Sequence, residues 1–395
     1  MFYIIMSIFL VGDVGWWIWA DAKLRRARAR KTWRVLLGIF TALFAGYLVF
    51  FLSMPHYGML AHHGLPPIAL ATIYVWHVFV LPITALAILA YESGRGLAWF
   101  ARSVSRKEAN SSAAVRDEPK LSRRDALALS LVTAPPILLG GTVGYCLKSL
   151  GSFRIRKMDI PLVDLPMDLD GMTIAHVSDV HVGRFTRGAM LPKIVDATNA
   201  LKADFIAFTG DLIDLSITDL TASIDMMKRF DPRHGLFMVE GNHDLIEDAD
   251  EFETRCKRES LPLLLNETML TQHNGRPVQF MGMVWHRRDQ QMAASMADLQ
   301  SQRVHGAFPI LLAHHPHVFD VAASAGIPLT LAGHTHGGQL MLNERLGAGS
   351  IMFRYWSGLY QKNDSALVVS NGVGNWFPLR VQAPAEIVHL TLRRA

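Results

Sequence analysis

The sequence predicts an α/β layered domain carried behind a bundle of about four membrane-spanning helices. Three observations predict it. Half of the 395 residues are hydrophobic and only 18% are charged. That is little charge for a soluble chain of this length, and the apolar excess lies before residue 150. From about residue 155 onward, short apolar runs alternate with amphipathic stretches, the pattern of strands and crossover helices. Five of those runs end in carboxylates or imidazoles, so the polar groups sit at strand ends, where open α/β sheets bind ligands.

Four segments meet the roughly 20-residue length of a bilayer span: Phe2 to Ala20, Val35 to Met54, Pro67 to Ala90 and Ala126 to Leu147. Asp13 and His77 fall within them, either as functional groups or as side chains satisfied by a neighbouring helix. The first connection, KLRRARARKTWR, holds seven Lys or Arg; the second, PHYGMLAHHGLP, holds none. The third holds Arg95, Arg102, Arg106, Lys107, Arg116, Lys120, Arg123 and Arg124. The positive-inside rule therefore puts both basic loops in the cytoplasm, and the N-terminus and everything after the fourth span outside.

Residues 1–102 thus read as a membrane domain of three helices, and 103–122 as a flexible cytoplasmic linker. Residues 123–150 form either a fourth helix or a twin-arginine-like export segment, SRRDALALSLVTAPPILLGG, with Ala126 where a bulky residue is usual. Both readings carry 151–395 across the membrane. Two cysteines, Cys146 and Cys256, cannot build a disulfide framework. The net charge of +5 gives no case for nucleic-acid binding, because the basic residues cluster beside apolar segments.

The five polar strand ends can be read in order. MTIAHVSDVHVG delivers Asp179 and His181. DFIAFTGDLID delivers Asp211, with Asp214 three residues on. GLFMVEGNHD delivers Asn242, His243 and Asp244. FPILLAHHP delivers His314 and His315, which point to opposite sides of an extended strand. LTLAGHTHGGQL delivers His334 and His336. His176, inside its strand, reads as a hydrogen-bonded core histidine. Between these motifs, RGAMLPKIVDATNALK and TDLTASIDMMKRF have helical spacing. Oxygen and nitrogen donors without thiolate suit Mn²⁺, Fe, Zn²⁺ or Co²⁺. The count exceeds what one ion needs. Two ions roughly 3.5–4 Å apart, bridged by a carboxylate, would use it fully, bind a phosphoryl group and lower the pKa of a bridging water.

The order D-x-H, G-D-x-x-D, G-N-H-D, H, G-H-T-H, over about 172 to 390, resembles the calcineurin-like metallophosphoesterase superfamily. GHTHGGQ and SNGVGNWFPLRVQAPAEIVHL look like its bacterial membrane-associated subgroup, which includes twin-arginine-exported phosphohydrolases. That subgroup is similar to enzymes cleaving UDP-2,3-diacylglucosamine in lipid A synthesis. The resemblance implies a four-layer α/β/β/α sandwich and two divalent metal ions, Mn, Fe, Zn or Co. It implies that Asp179, His181 and His336 hold the first metal, that Asp211 bridges, and that Asn242, His314 and His334 hold the second. The family pattern puts the ligand directly after the apolar run, which selects His314 over His315. His243 would stand beside the scissile phosphate, stabilising charge or protonating the leaving group, with Asp244 orienting its ring.

Arg184, Arg187, Arg287, Arg288 and Arg380 are candidates to grip a second anionic group, Arg184 and Arg287 foremost as substrate-binding residues. Residues 245–309 are the one sizeable insertion between motifs, with no independent cap domain. Phe353, Tyr355, Trp356, Trp376 and Phe377 make the late loops aromatic, read as core before lipid contact. The expectation is a phosphohydrolase of the bacterial cytoplasmic membrane, with its catalytic domain on the extracytoplasmic side. Its substrate would be an envelope phosphomonoester, diester or pyrophosphate, small or lipid-linked. The alternative is a membrane sensor or scaffold that binds a phosphorylated ligand without turnover; the complete donor set with His243 favours the enzyme.

Overall fold

The computed structural model of the chain describes residues 2–52, 66–105, 123–343 and 346–395. The second connection between spans and linker residues 106–122, read above from sequence, therefore lie outside the described residues. The chain divides near residue 146 into a helical unit and an α/β unit.

The helical unit contains α1 (Phe2–Arg26), α2 (Lys31–Leu52), α3 (Pro67–Tyr74), a π-helical turn (Val75–Val80), α4 (Leu81–Ser105) and α5 (Arg123–Ser149). Four stretches among the described residues are long and apolar enough to cross a membrane: Ile4–Arg26, Lys31–Phe50, Pro67–Ala101 and Asp125–Ser149. They overlap the four segments read from sequence, the first running on to Arg26 and the third further still. Its helix continues to Ser105 and takes in residues 103–105 of the expected linker.

The π-helical turn sets Trp76 and His77, adjacent in sequence, on one carboxylate; such turns insert an extra residue into the helical repeat. Trp76 Nε1 donates to Asp13 Oδ1 at 2.7 Å, and His77 Nε2 meets Oδ2 at 3.1 Å. His77 Nδ1 lies 3.0 Å from the Ile73 carbonyl. Around them Trp16, Phe40 and Phe44 pack on Trp76 with ring centroids 4.9–5.4 Å away. Asp13 is fully buried and each of its oxygens has a partner.

In the α/β unit two sheets face each other. One has the order β1-β13-β2-β3-β4, the other β11-β12-β8-β7-β6-β5. The strands of the first are β1 (Arg154–Leu162), β2 (Thr173–Val177), β3 (Phe205–Thr209), β4 (Gly235–Val239) and β13 (Glu386–Arg394). The second contains β5 (Glu267–His273), β6 (Arg276–Gly282), β7 (Phe308–Leu312), β8 (Leu329–Ala332), β11 (Gly358–Lys362) and β12 (Ser365–Val369), while β9 (Met341–Asn343) and β10 (Leu346–Gly347) pair with each other.

Successive side chains on a strand point to opposite faces, and the core follows that alternation. Phe205, Ala207, Phe237 and Val239 join Val278, Phe280, Ile310 and Leu312 in the core between the sheets. Ile206, Phe208 and Met238 face the other way, onto Ile194 and Val195 of α6 (Met190–Ala200), Ile224 and Met227 of α7 (Leu220–Met227), and Phe252 and Cys256 of α8 (Ala249–Arg258). Met281 and Leu311 face outward onto Met292, Met296 and Leu299 of α9 (Asp289–Ser301). Helix, sheet, sheet, helix is the four-layer arrangement expected from the sequence, with helices where the two amphipathic stretches predict them.

Within each sheet the site-bearing strands run parallel: β2, β3 and β4 in one, β6, β7, β8 and β12 in the other. Parallel strands end on one rim, so all five polar motifs leave the sheets together. The insertion at 245–309 supplies α8, the β5–β6 hairpin and α9, which belong to the layers themselves; no separate cap arises from it.

Candidate metal centre

Three of the five motifs turn sharply as they leave their strands. Asp179, His181, Asp211, His334 and His336 all have positive φ, between 48° and 74°. Non-glycine residues rarely adopt this left-handed conformation, and it costs on the order of 1 kcal/mol or more wherever it is held at a functional site. Five such residues side by side are a local strain held in place by the surrounding sheets. Close packing is needed as well: a Cβ on Gly333 would collide with Ser178 and the Asp179 carboxylate, and one on Gly241 with Asp211.

The turns bring two donor sets together. In the first, His336 Nε2 lies 3.2 Å from Asp179 Oδ1 and 2.9 Å from His181 Nε2. His181 Nε2 in turn lies 3.8 Å from Asp179 Oδ1 and 3.5 Å from Asp211 Oδ2. In the second, His314 Nε2 lies 3.1 Å from Asp211 Oδ2 and 3.2 Å from His334 Nδ1. Asp211 Oδ2 is thus common to both sets. Its Oδ1 accepts the backbone N–H of His243 at 2.8 Å. Asp179, His181, Asp211, His314 and His336 are buried, while Asn242, His243 and His334 are half-buried at the mouth.

A divalent metal fits these residues on the geometry of the chain itself. Donors bonded at about 2.0–2.2 Å to one ion stand roughly 3.0–3.5 Å apart, and most of the separations above fall in that range. Asn242 Oδ1 is buried with no hydrogen-bond partner, a costly state for a carbonyl oxygen unless a ligand takes it. His314 places its Nδ1 2.7 Å from the Thr209 carbonyl, which fixes the tautomer and turns the Nε2 lone pair toward Asp211. His336 differs: the Arg380 guanidinium donates to its Nδ1 at 2.8 Å.

The charges respond to this crowding. Burial alone would raise Asp211, but His314, His243 and His181 hold it well below the usual carboxylate range. Burial would lower His243, yet Asp211 and Asp214 outweigh it and push the imidazole up to about 9. His314 is likewise pushed up to about 9, against its burial, mainly by Asp211.

Several expectations change here. Asp244 does not touch the His243 ring. Its Oδ1 accepts from the backbone N–H groups of Leu212 and Ile213, at 2.8 and 2.9 Å, and its Oδ2 from Gly241 at 2.8 Å. It shapes the two ligand loops. Asp214 orients His243 instead: His243 Nδ1 sits 2.5 Å from the Asp214 carbonyl and 3.5 Å from its carboxylate. Arg184, expected to grip substrate, is buried against Asp214, with Nε 2.5 Å from Oδ2 and Nη2 3.0 Å from Oδ1. Arg380 is also buried, donating to the carbonyls of Asn371 and Gly374 and to Asn375 Oδ1. Arg287 is exposed and lies near enough to add to the depression of His315.

His315 belongs to neither donor set: its ring packs 4.9 Å from that of His334, and its Nδ1 accepts from the backbone of His317. His176 is the core histidine expected, 2.8 Å from Thr209 Oγ1. Trp356 and Phe377 are core. Trp376 is half-buried instead, its ring 6.1 Å from that of His243 and 6.4 Å from that of His336. Across the cluster Trp285, which sequence reasoning did not single out, lies 5.0 Å from the His334 ring. Its signal was a tryptophan just past the end of β6, the strand beside β7.

The family model for calcineurin-like phosphoesterases matches residues 172–338, which span all five motifs. This stretch is a calcineurin-like metallophosphoesterase domain. A zebrafish "transmembrane protein with metallophosphoesterase domain" is 26% identical, covering 99% of this chain and 88% of its own length. An uncharacterized metallophosphoesterase of Campylobacter jejuni is 28% identical over 67% of this chain and 69% of its own length. One of Bacillus subtilis is 27% identical over 69% of this chain and 98% of its own. In this chain the metallophosphoesterase domain follows four long apolar helices, the zebrafish relative is named as a transmembrane protein, and the family implies divalent metal use.

Proposed function

We propose that this chain is a membrane-anchored phosphoesterase that hydrolyses a phosphate ester or pyrophosphate bond at a two-metal centre. The observation that supports it most is Asp211 Oδ2, standing 3.5 Å from His181 Nε2 and 3.1 Å from His314 Nε2, where one carboxylate serves two donor sets. Divalent ions held there would bind phosphoryl oxygens and lower the pKa of a water between them. On this reading Asp179, His181 and His336 hold one ion, Asn242, His314 and His334 the other, and Asp211 bridges.

The chain's own groups then do the rest. Asp179 and Asp211 supply the negative charge that retains the cations. His243 keeps Nδ1 on the Asp214 carbonyl, so Nε2 is the nitrogen that meets a substrate, giving its proton to the departing oxygen. Trp285 and Trp376 flank the cluster and narrow the approach of water. Arg287, exposed in the turn between β6 and α9, offers a charge to a second anionic group, which suits a pyrophosphate or a lipid-linked phosphate better than a simple monoester. The apolar helices suit the lipid. The basic loops between spans favour a non-cytoplasmic position for the catalytic domain.

The test uses the full chain in detergent with Mn²⁺, on an aryl phosphodiester and an aryl phosphomonoester, beside Asp211→Asn. Turnover by the wild type and its loss with metal in the variant are expected. Failure of the wild type to bind metal overturns the reading, as does undiminished turnover by the variant. A reporter active only outside the cytoplasm, fused after Ala395, checks the sidedness: an inactive reporter overturns it.

A further inference from the structure

We propose a separate zinc site at the opposite pole of the α/β unit, built from Asp204, His234 and His273. One ligand atom from each lies within 4.8 Å of the others. The three come from unrelated segments. Asp204 and His234 immediately precede β3 and β4, and His273 is the last residue of β5 before the Asn274-Gly275 turn into β6. They therefore lie where β3 and β4 start and β5 ends, about 20 Å of extended chain from Asp211 at the other end of β3.

The arrangement is rigid where a ligand needs it to be. The His234 backbone N–H donates to the Asp204 carbonyl at 2.8 Å. Asp204 Oδ2 is fixed by the Thr173 backbone N–H and hydroxyl, at 2.8 and 2.7 Å. Its Oδ1 is left with a long contact of 3.5 Å to Arg233, whose side chain is more than half exposed and can swing into water. Asn274 and Gly275, both at positive φ, close the tight hairpin that Asn-Gly favours, and this presents His273 in one position.

Two features point to a ligand. His273 is only 8% exposed, yet its Nδ1 is buried with no hydrogen-bond partner, and its ring packs edge-on to His234 at 5.4 Å. The exposed His234 ring can turn to close the set. Two imidazoles and one carboxylate are a set that zinc takes with an open fourth position. Zinc bound here ties the β5–β6 hairpin of one sheet to the strand starts of the other, closing the sandwich at the end away from the catalytic rim.

Full-length protein in detergent, equilibrated with excess Zn²⁺ and dialysed, gives the test by metal counting. Wild type is compared with His234→Ala, His273→Ala and His234→Cys, and turnover is measured on the same samples. Each alanine variant is expected to carry about one zinc fewer than wild type, and His234→Cys to restore it, since thiolate replaces imidazole well. Turnover stays within about twofold, because the rim is untouched. Equal zinc in wild type and both alanine variants overturns the site. So does a zinc loss accompanied by loss of turnover, which would place the missing metal at the rim. The count is a difference between variants and holds even if the chain proves to hydrolyse nothing.

Discussion

Two buried polar clusters can be set against each other. In the helical unit, Asp13 receives Trp76 and His77, and His77 finds the Ile73 carbonyl with its second nitrogen. The cluster is closed and sits on regular α and π backbone. At the strand ends, Asn242 Oδ1 and His181 Nδ1 are buried without partners, imidazole nitrogens face one another at 2.9 Å, and five side chains stand on left-handed backbone. Polar groups that satisfy one another hold a fold together. Groups that stay unsatisfied while their neighbours keep them from relaxing are arranged for something outside the chain. Of Asp13 with His77, and of the strand-end set, the second is the one to expect at work on a substrate.

The sharpest way to break that contrast is Asp211→Asn. Removing the charge shared by both donor sets should lower turnover by at least about a thousandfold, with reduced metal content; retained metal and activity would make the strand-end cluster structural after all. Next in size is His243→Ala, for which metal should remain bound while kcat falls by about a hundredfold or more. Loss of metal in that variant would move His243 from proton donor to ligand.

Asp214→Asn should act more gently, about tenfold on kcat with KM little changed, because the backbone carbonyl still holds the ring while the charge is lost. The smallest effect belongs to the closed cluster. Asp13→Asn should lower the thermal midpoint of the helical unit by an amount worth about 1–2 kcal/mol, with metal content and turnover at wild-type levels. An Asp13→Asn protein that unfolds normally but no longer hydrolyses would put catalytic work inside the bundle.

What the sequence shows of this molecule depends on how local the information is. The five motifs are legible because each is a short apolar run followed by its own ligands, and the four long apolar helices because length and hydropathy suffice to mark them. The arginines are not, since Arg184 and Arg380 read like any surface arginine until the fold places Asp214 and His336 beside them. Asp244 looks like the partner of His243 by adjacency, but the turn after β4 sends its carboxylate back to the backbone N–H groups of the Asp211 loop. The zinc residues are invisible in sequence because each lies in a different connection, and the pairing of β1 with β13 joins Arg154 to Glu386 across most of the domain.

That last strand carries a consequence for how the protein is made. β13 lies between β1 and β2, parallel to the first and antiparallel to the second, so the first sheet cannot close until residues 386–394 exist. A ribosome delivering the chain from its N-terminus will have emitted every apolar helix and every ligand loop before that moment. Until then β1 and β2 present open edges that invite pairing with other chains. The edge of the first sheet, for all the local motifs on its rim, is completed last.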